Sequence, residues 1–332
     1  MKTSHIEADV EAMPEMMTAA ETDVAVSAIV ALYNSASFID ELLDGLGNSL
    51  RAYDASYEIV CVDDGSSDDT SAKIKTKILD NPHLKLIRMR SEFGEASALD
   101  AGLKAATGDK ILYLTSRVRI NPNQVASLLR ELDDGKDLVV GWRYPRQDSK
   151  LNHIVSKLFN VIINAFAKLN LHDINSGVLA ARREVLESIP VYGDLNNFIP
   201  VLAVRQGYRI DEKKIEQLPG KFRNSRYVSE YIRRFLDIVA VIFLTRYSKR
   251  PIHFLGFVGA IFAISGVIIN LYLFVYRILQ FGPIAGRPML LLGSLLLVIG
   301  IQMISIGLIG EMIIFTHAKE IKEYNIEEIV SQ

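Results

Sequence analysis

At 332 residues the chain has room for one large domain or two smaller ones. Its 37 Lys and Arg against 39 Asp and Glu leave a formal net charge of −2, so no global basic field recruits nucleic acid. The single cysteine excludes an internal disulfide, and because Cys61 sits in an apolar run it reads as packing.

Residues 1–23 are acidic and Met-rich with no apolar run, the pattern of a flexible tail and not of a signal peptide. The stretch 24–30 predicts a first strand, ending in Ala31-Leu32-Tyr33-Asn34. A helix follows, with Phe38, Leu42, Leu43 and Leu46 at helical spacing. Ile59 to Val62 form a second strand, β-branched and apolar as in a strand covered on both faces. Asp63 and Asp64 stand at its carboxyl end, followed by Gly65 and a Ser/Asp cluster able to cap a helix running through Ile74 and Ile78. The stretch 84–89 is a third strand. After Phe93-Gly94, residues 95–106 are helical and Gly108 stops them; 111–114 is a fourth strand.

Strands alternating with helices predict an α/β chain, a doubly wound and mostly parallel sheet with right-handed crossovers. Ligands of such sheets bind outside the carboxyl ends of the strands. Asp63 and Asp64 are placed there, as acceptors for a ribose or base edge or as turn-forming caps.

Four segments in order carry a resemblance: Tyr33-Asn34; Val62-Asp63-Asp64-Gly65-Ser66-x-Asp68-x-Thr70; Phe93-Gly94-x-x-x-Ala98-x-x-x-Gly102; and Ala106-Thr107-Gly108-Asp109. The set resembles family-2 glycosyltransferases, in particular those that move a sugar to a polyprenyl phosphate, such as dolichyl-phosphate mannose synthases and bactoprenol glucosyltransferases. The resemblance runs from about residue 24 to the C-terminus. It implies a glycosyltransferase A-type nucleotide-binding fold and inverting transfer from a nucleotide sugar to a polyprenyl phosphate. Asp63 and Asp64 would hold the base and ribose, with Tyr33, Asn34, Gly94 and Ser116 completing the donor site.

That family ends its fourth strand with Asp-x-Asp, which holds a divalent cation, Mg or Mn, against the donor diphosphate. Here Thr115-Ser116-Arg117 stands in its place. A hard cation wants oxygen ligands and an arginine repels it, so no metal is carried over. Two readings remain open. Arg117, with Arg119 beside it, supplies the positive charge itself, a guanidinium being a bidentate partner for phosphate oxygens. Alternatively, catalysis is lost and the domain persists as a nucleotide-binding, assembly or regulatory membrane protein. A plainer option for Arg119 is a surface pair.

Residues 137–140 form another strand, followed by Gly141-Trp142-Arg143-Tyr144-Pro145-Arg146, where the family carries an arginine-bearing loop beside the donor pocket. Ile154, Leu158, Ile162 and Ala165 predict an amphipathic helix over 154–169. Asp173-Ile174-Asn175-Ser176-Gly177 resembles the family's segment near the acceptor. A polyprenyl phosphate is already anionic, so Asp173 can orient instead of abstracting a proton, or simply cap a loop. The stretch 220–227 resembles the family's basic loop at the acceptor phosphate. Arg143, Arg223, Ser225 and Arg226 are the acceptor-side candidates, with Arg226 where lysine is usual; a membrane-surface patch is the other reading. Gln206-Gly207-Tyr208-Arg209 is followed by Ile210, so the Gln-x-x-Arg-Trp element of chain-extending synthases is missing.

Residues 251–276 contain no Asp, Glu, Lys or Arg, and as a helix reach about 39 Å at ~1.5 Å per residue. A second such run, 288–310, precedes Glu311. Both exceed the ~30 Å hydrocarbon core, which predicts an antiparallel transmembrane hairpin. Arg233, Arg234, Arg246, Lys249 and Arg250 precede the first span, against Arg277 and Arg287 in the link. That asymmetry puts the preceding domain on the cytoplasmic side of the plasma (inner) membrane. The expected organisation is a tail (1–23), a cytoplasmic transferase domain (24–227), a juxtamembrane amphipathic helix (228–250), two spans (251–276 and 288–315) around a short non-cytoplasmic link (277–287), and a cytoplasmic tail (316–332). A lone hairpin buries little protein surface, so a homo-oligomer is expected.

Overall fold

The computed structural model describes residues 24–147, 156–157, 160–161, 163–165, 167, 169–189, 193–219, 251–283 and 288–317. The predicted alternation is present in its first half. β1 (Val26–Leu32), α1 (Ile39–Tyr53), β2 (Tyr57–Asp63), α2 (Thr70–Asp80), β3 (Leu84–Arg88), α3 (Glu95–Ala105) and β4 (Lys110–Thr115) follow one another. Every residue of β1 and β2 is buried. The period of two then divides them between two layers. Ala28, Val30 and Leu32 join Ile39, Leu43, Leu46 and Leu50 of α1, while Ile29 and Ala31 join Ala98 and Leu99 of α3. Continuous apolar strands are what helices on both faces require.

After β4 come α4 (Ala126–Asp133), β5 (Leu138–Arg143), β6 (Val178–Arg182), α5 (Arg183–Ser188), α6 (Ile199–Arg205) and β7 (Ile210–Ile215). The described residues between 156 and 167 are helical. The described strands make one seven-stranded sheet in the order β3-β2-β1-β4-β6-β5-β7. The pairs β1–β2, β2–β3, β1–β4 and β5–β7 are parallel; β6 runs antiparallel to both neighbours. The expected doubly wound, mostly parallel sheet is therefore present, with β6 as its reversed strand. The chain leaves β1 toward β2 on one side while β4 lies on the other, so the topological switch point falls between the carboxyl ends of β1 and β4.

Two of the resemblance segments have structural duties. A Cβ on Gly102 would come 2.4 Å from Ile29 Cγ2, so glycine there lets α3 lie against β1. The segment 106–109 sits at the opposite, amino end of the sheet. There Thr107 donates its N–H and hydroxyl to Glu58 (2.6 and 2.8 Å), and the Gly108 N–H donates to Ser27 Oγ (2.8 Å).

α7 (Pro251–Ile278) and α8 (Pro288–His317) pack against each other and are long and apolar enough to cross a membrane. Their backbones meet at glycines. A Cβ on Gly300 would lie 2.4 Å from Ala263 N and 2.5 Å from Gly259 O, and one on Gly266 would lie 2.6 Å from Gly293 O. Small residues that admit close approach are how helices associate in lipid, where burial of apolar surface provides no drive. The large side chains Phe257, Leu271, Phe274, Leu291 and Met312 point outward and exposed.

Candidate active site

Loops leaving the carboxyl ends of β1, β2 and β4 form the site, and the first two are laced together. Asn34, in the left-handed region at φ 47°, donates its N–H to Ser66 Oγ (2.9 Å) and accepts the Ser67 N–H at Oδ1 (2.9 Å). Asp68 accepts the Ala36 N–H (3.0 Å) and the Thr70 hydroxyl (2.5 Å). Burial works to raise the Asp68 carboxyl's pKa, but these hydrogen bonds outweigh it and hold the group below its ordinary value.

The two aspartates expected to hold the nucleotide have different surroundings. Asp63 is fully buried, accepts the Ser66 N–H (2.9 Å) and takes a short hydrogen bond from the Ser71 hydroxyl. Asp64 accepts the N–H groups of Phe93 (2.7 Å) and Gly94 (2.9 Å), one at each oxygen. It thereby ties β2 to the loop that opens α3, leaving the Phe93 ring exposed beside it.

β4 ends in Thr115, followed by Ser116 and Arg117. The Tyr33 N–H donates to Ser116 Oγ (3.1 Å), and the Ser116 N–H to the Ala31 carbonyl (2.8 Å), which closes the switch point. Arg117 extends over the Tyr33 ring, its guanidinium carbon 5.9 Å from the centroid. Its Nη2 donates to Glu92 Oε1 (3.1 Å), and its Nε lies 3.3 Å from Glu95 Oε1. Glu95 also accepts the Thr115 hydroxyl (2.7 Å) and the Asn196 amide (3.1 Å). The Glu92 carboxylate is also the largest cause that raises the Tyr33 phenol's pKa. Sequence reasoning missed both glutamates. Glu95 opens a helix and reads as a dipole partner, and Glu92 as a solvated loop charge. Arg119 takes a separate course, paired with Glu41 (2.8 Å) and bonded to the Pro219 carbonyl (3.2 Å).

These groups do not fit a divalent cation. The two positions where the resemblance implies Asp hold a hydroxyl already donating to Glu95 and a guanidinium between two carboxylates. Among the described residues no group of three or more His, Cys, Asp or Glu could hold a metal ion.

On the far side of β4, Asp173 and Arg143 meet each other. Arg143 Nε and Nη2 contact the two carboxylate oxygens at 2.6 and 2.8 Å, and Nη2 also donates to the Asn175 carbonyl (3.0 Å). Arg146 Nη1 lies 3.7 Å from the same carboxylate. The segment 173–177 then returns to the site, for the Thr115 N–H donates to the Gly177 carbonyl (3.0 Å). Glu95, Tyr113, Ser176, Gly177 and Asn196 line a cavity of ≈ 20 Å³, room for one water. Arg223, Ser225 and Arg226 lie outside the described residues, as do residues 1–23 and 220–250.

Comparison with known proteins finds a family domain in the first part of the chain and relatives along most of its length. The model of "Glycosyl transferase family 2" matches residues 27–189. A dodecaprenyl-phosphate galacturonate synthase of Rhizobium johnstonii is 29% identical over 300 residues, covering 89% of each chain. An undecaprenyl-phosphate 4-deoxy-4-formamido-L-arabinose transferase of Proteus mirabilis is 28% identical over 313 residues, covering 92% of this chain and 94% of the relative. Among solved structures, glucosyl-3-phosphoglycerate synthase of Mycobacterium tuberculosis with Mn2+, uridine diphosphate and phosphoglyceric acid superposes with a TM-score of 0.54. It is 20% identical, over 67% of this chain and 78% of that one, a likeness of fold.

Proposed function

We propose that this chain, which carries a glycosyl transferase family 2 domain over residues 27–189 and two helices long and apolar enough to cross a membrane, moves a sugar from a nucleotide sugar to a polyprenyl phosphate at the cytoplasmic leaflet, without a metal. The observation that carries the metal-free part is Arg117. It leaves the end of β4 at the switch point, over Tyr33, where a donor diphosphate would lie. A guanidinium there takes the role of a cation: it meets the phosphate oxygens bidentately and stabilises the charge that develops as they leave.

In this reading the donor's nucleotide lies along Tyr33, Asn34, Asp64 and Gly94. An oxygen of the lipid phosphate attacks the anomeric carbon from the face opposite the nucleotide. As that bond forms, the bond from the anomeric carbon to the diphosphate breaks, the nucleoside diphosphate leaves with the electron pair, and the configuration inverts. The acceptor is already anionic, so no proton has to be removed. Asp173 positions Arg143 and Arg146 on the acceptor side, and the roles carried over for Arg223, Ser225 and Arg226 are to bind the acceptor phosphate. The hairpin α7–α8 holds the pocket at the surface where the lipid's phosphate emerges, with the domain and C-terminal tail on the cytoplasmic side of the plasma membrane. Hairpins of several copies associate.

The test is sugar transfer to a polyprenyl phosphate, measured across nucleotide sugars in a chelator. Activity that persists, and that falls by about 10²–10³ in Arg117→Ala, is the expected result. Strict dependence on magnesium or manganese would remove the metal-free part. Transfer from no donor, with or without manganese, would turn the reading to a silent homologue that binds nucleotides or partners.

A further inference from the structure

The trio Glu92, Glu95 and Arg117 carries a net negative charge as it stands. A diphosphate approaching Arg117 is therefore repelled until one carboxylate lets go. The two glutamates are not equivalent. Glu95 belongs to α3, is 20% exposed in its side chain, and is held from two more sides by Thr115 and Asn196. Glu92 belongs to the loop before α3, is 48% exposed, and pairs with Arg117, which itself lies over the Tyr33 ring. Its carboxylate thus occupies the guanidinium assigned to the donor, with a planar anionic head of the kind a phosphate oxygen pair offers to a guanidinium.

Resting on the reading of Arg117 given above, we propose that Glu95 is the positioning residue that keeps Arg117 aimed at the diphosphate, while Glu92 is an internal anion that fills the diphosphate position until a nucleotide sugar displaces it. Release of Glu92 leaves Arg117 with one carboxylate behind it and one open edge in front. The exposed Glu92 pair contributes little to stability, so the displacement costs little. The arrangement also orders the site: Arg117 is neutralised while the pocket is empty and exposed only when an anion arrives.

The experiment uses the full chain in lipid nanodiscs. Calorimetry first compares UDP, GDP and TDP with the wild type, and the tightest binder becomes the probe. Glu92→Gln is expected to tighten the probe about two- to fivefold, and to do nothing in an Arg117→Ala background. Glu95→Gln is expected to lower kcat about tenfold or more with a smaller change in donor KM, with partial recovery in Glu95→Asp and an unchanged melting temperature. A merely structural role for either glutamate would move the melting temperature instead and show no dependence on Arg117. If Glu92→Gln acts alike in both backgrounds, or Glu95→Gln leaves kcat as it was, the division of labour is overturned while the diphosphate reading stands. If no nucleotide binds, or Arg117→Ala binds the probe as the wild type does, the diphosphate reading itself is overturned.

Discussion

Arg143 and Asp173, 30 residues apart, form a two-point ion pair whose side chains retain 8% and 2% of their exposure. Both had been candidates for separate duties at the acceptor, and the structure joins them. A buried pair is costly to break from one side, because the remaining charge has no water to turn to.

Asp173→Asn is therefore expected to destabilise the protein by about 3–5 kcal/mol, the range for orphaning one member of a buried pair. Replacing both residues, by Arg143→Met with Asp173→Leu, should recover much of the loss. Thermal unfolding of the three proteins in nanodiscs checks this; a double variant no more stable than Asp173→Asn would show that the pair is not the cause.

Placing carboxylates at the two positions where the resemblance implies them provides a second test. Thr115→Asp with Arg117→Asp would set two new carboxylates beside Glu92 and Glu95, with no cation of the protein's own to neutralise them. Such a cluster is relieved by a divalent ion. The double variant should bind manganese measurably by calorimetry and, where it transfers sugar, should need the metal to do so.

Gly177 adopts φ +73°, and a Cβ there would lie 2.4 Å from Thr115 Cγ2. Gly177→Ala is expected to cost about 1–3 kcal/mol through backbone strain and overpacking. It should also lower activity, because Thr115 is bonded to Glu95 behind Arg117. Adding Thr115→Ser removes the colliding methyl and should restore part of the melting temperature, leaving only the strain of the positive φ.

At the amino end of the sheet, burial works to raise the pKa of Glu58. Lys85 at 2.5 Å and hydrogen bonds from Ser27 and Thr107 outweigh it, so the carboxyl sits below its ordinary value. A carboxyl lowered in the folded state contributes stability above its unfolded pKa, and that contribution is lost as the pH falls through the folded one. Stability should thus decline as the pH drops below about 4.5, the ordinary value for a glutamate. The acid limb of a melting-temperature profile should be shallower in Glu58→Gln, whose stability at neutral pH should already be lower.

The sequence by itself determined the elements whose signal is local. The stretch 24–30 and the run Ile59 to Val62 read as strands because they are largely apolar and β-branched, and the turn chemistry after Val62 marked where β2 ends; in the structure each strand has seven buried residues. The two apolar stretches announced themselves by length, and β4 by the run into Thr115-Ser116-Arg117. Their alternation was enough for the α/β fold, since strand and helix periods are properties of neighbouring residues. β6 was not legible: Val178–Arg182 is short, and its antiparallel place between β4 and β5 depends on the chain doubling back.

What only the tertiary structure decided is which charges meet. Arg117 lies 25 residues from Glu92, Thr115 lies 20 from Glu95, and Arg143 lies 30 from Asp173. Nothing in the chain's periodicity links those positions. Each pair arises because the topology of the sheet brings separate loops to the same end of it, and a charge acts over a few ångströms of space, whatever the distance along the chain.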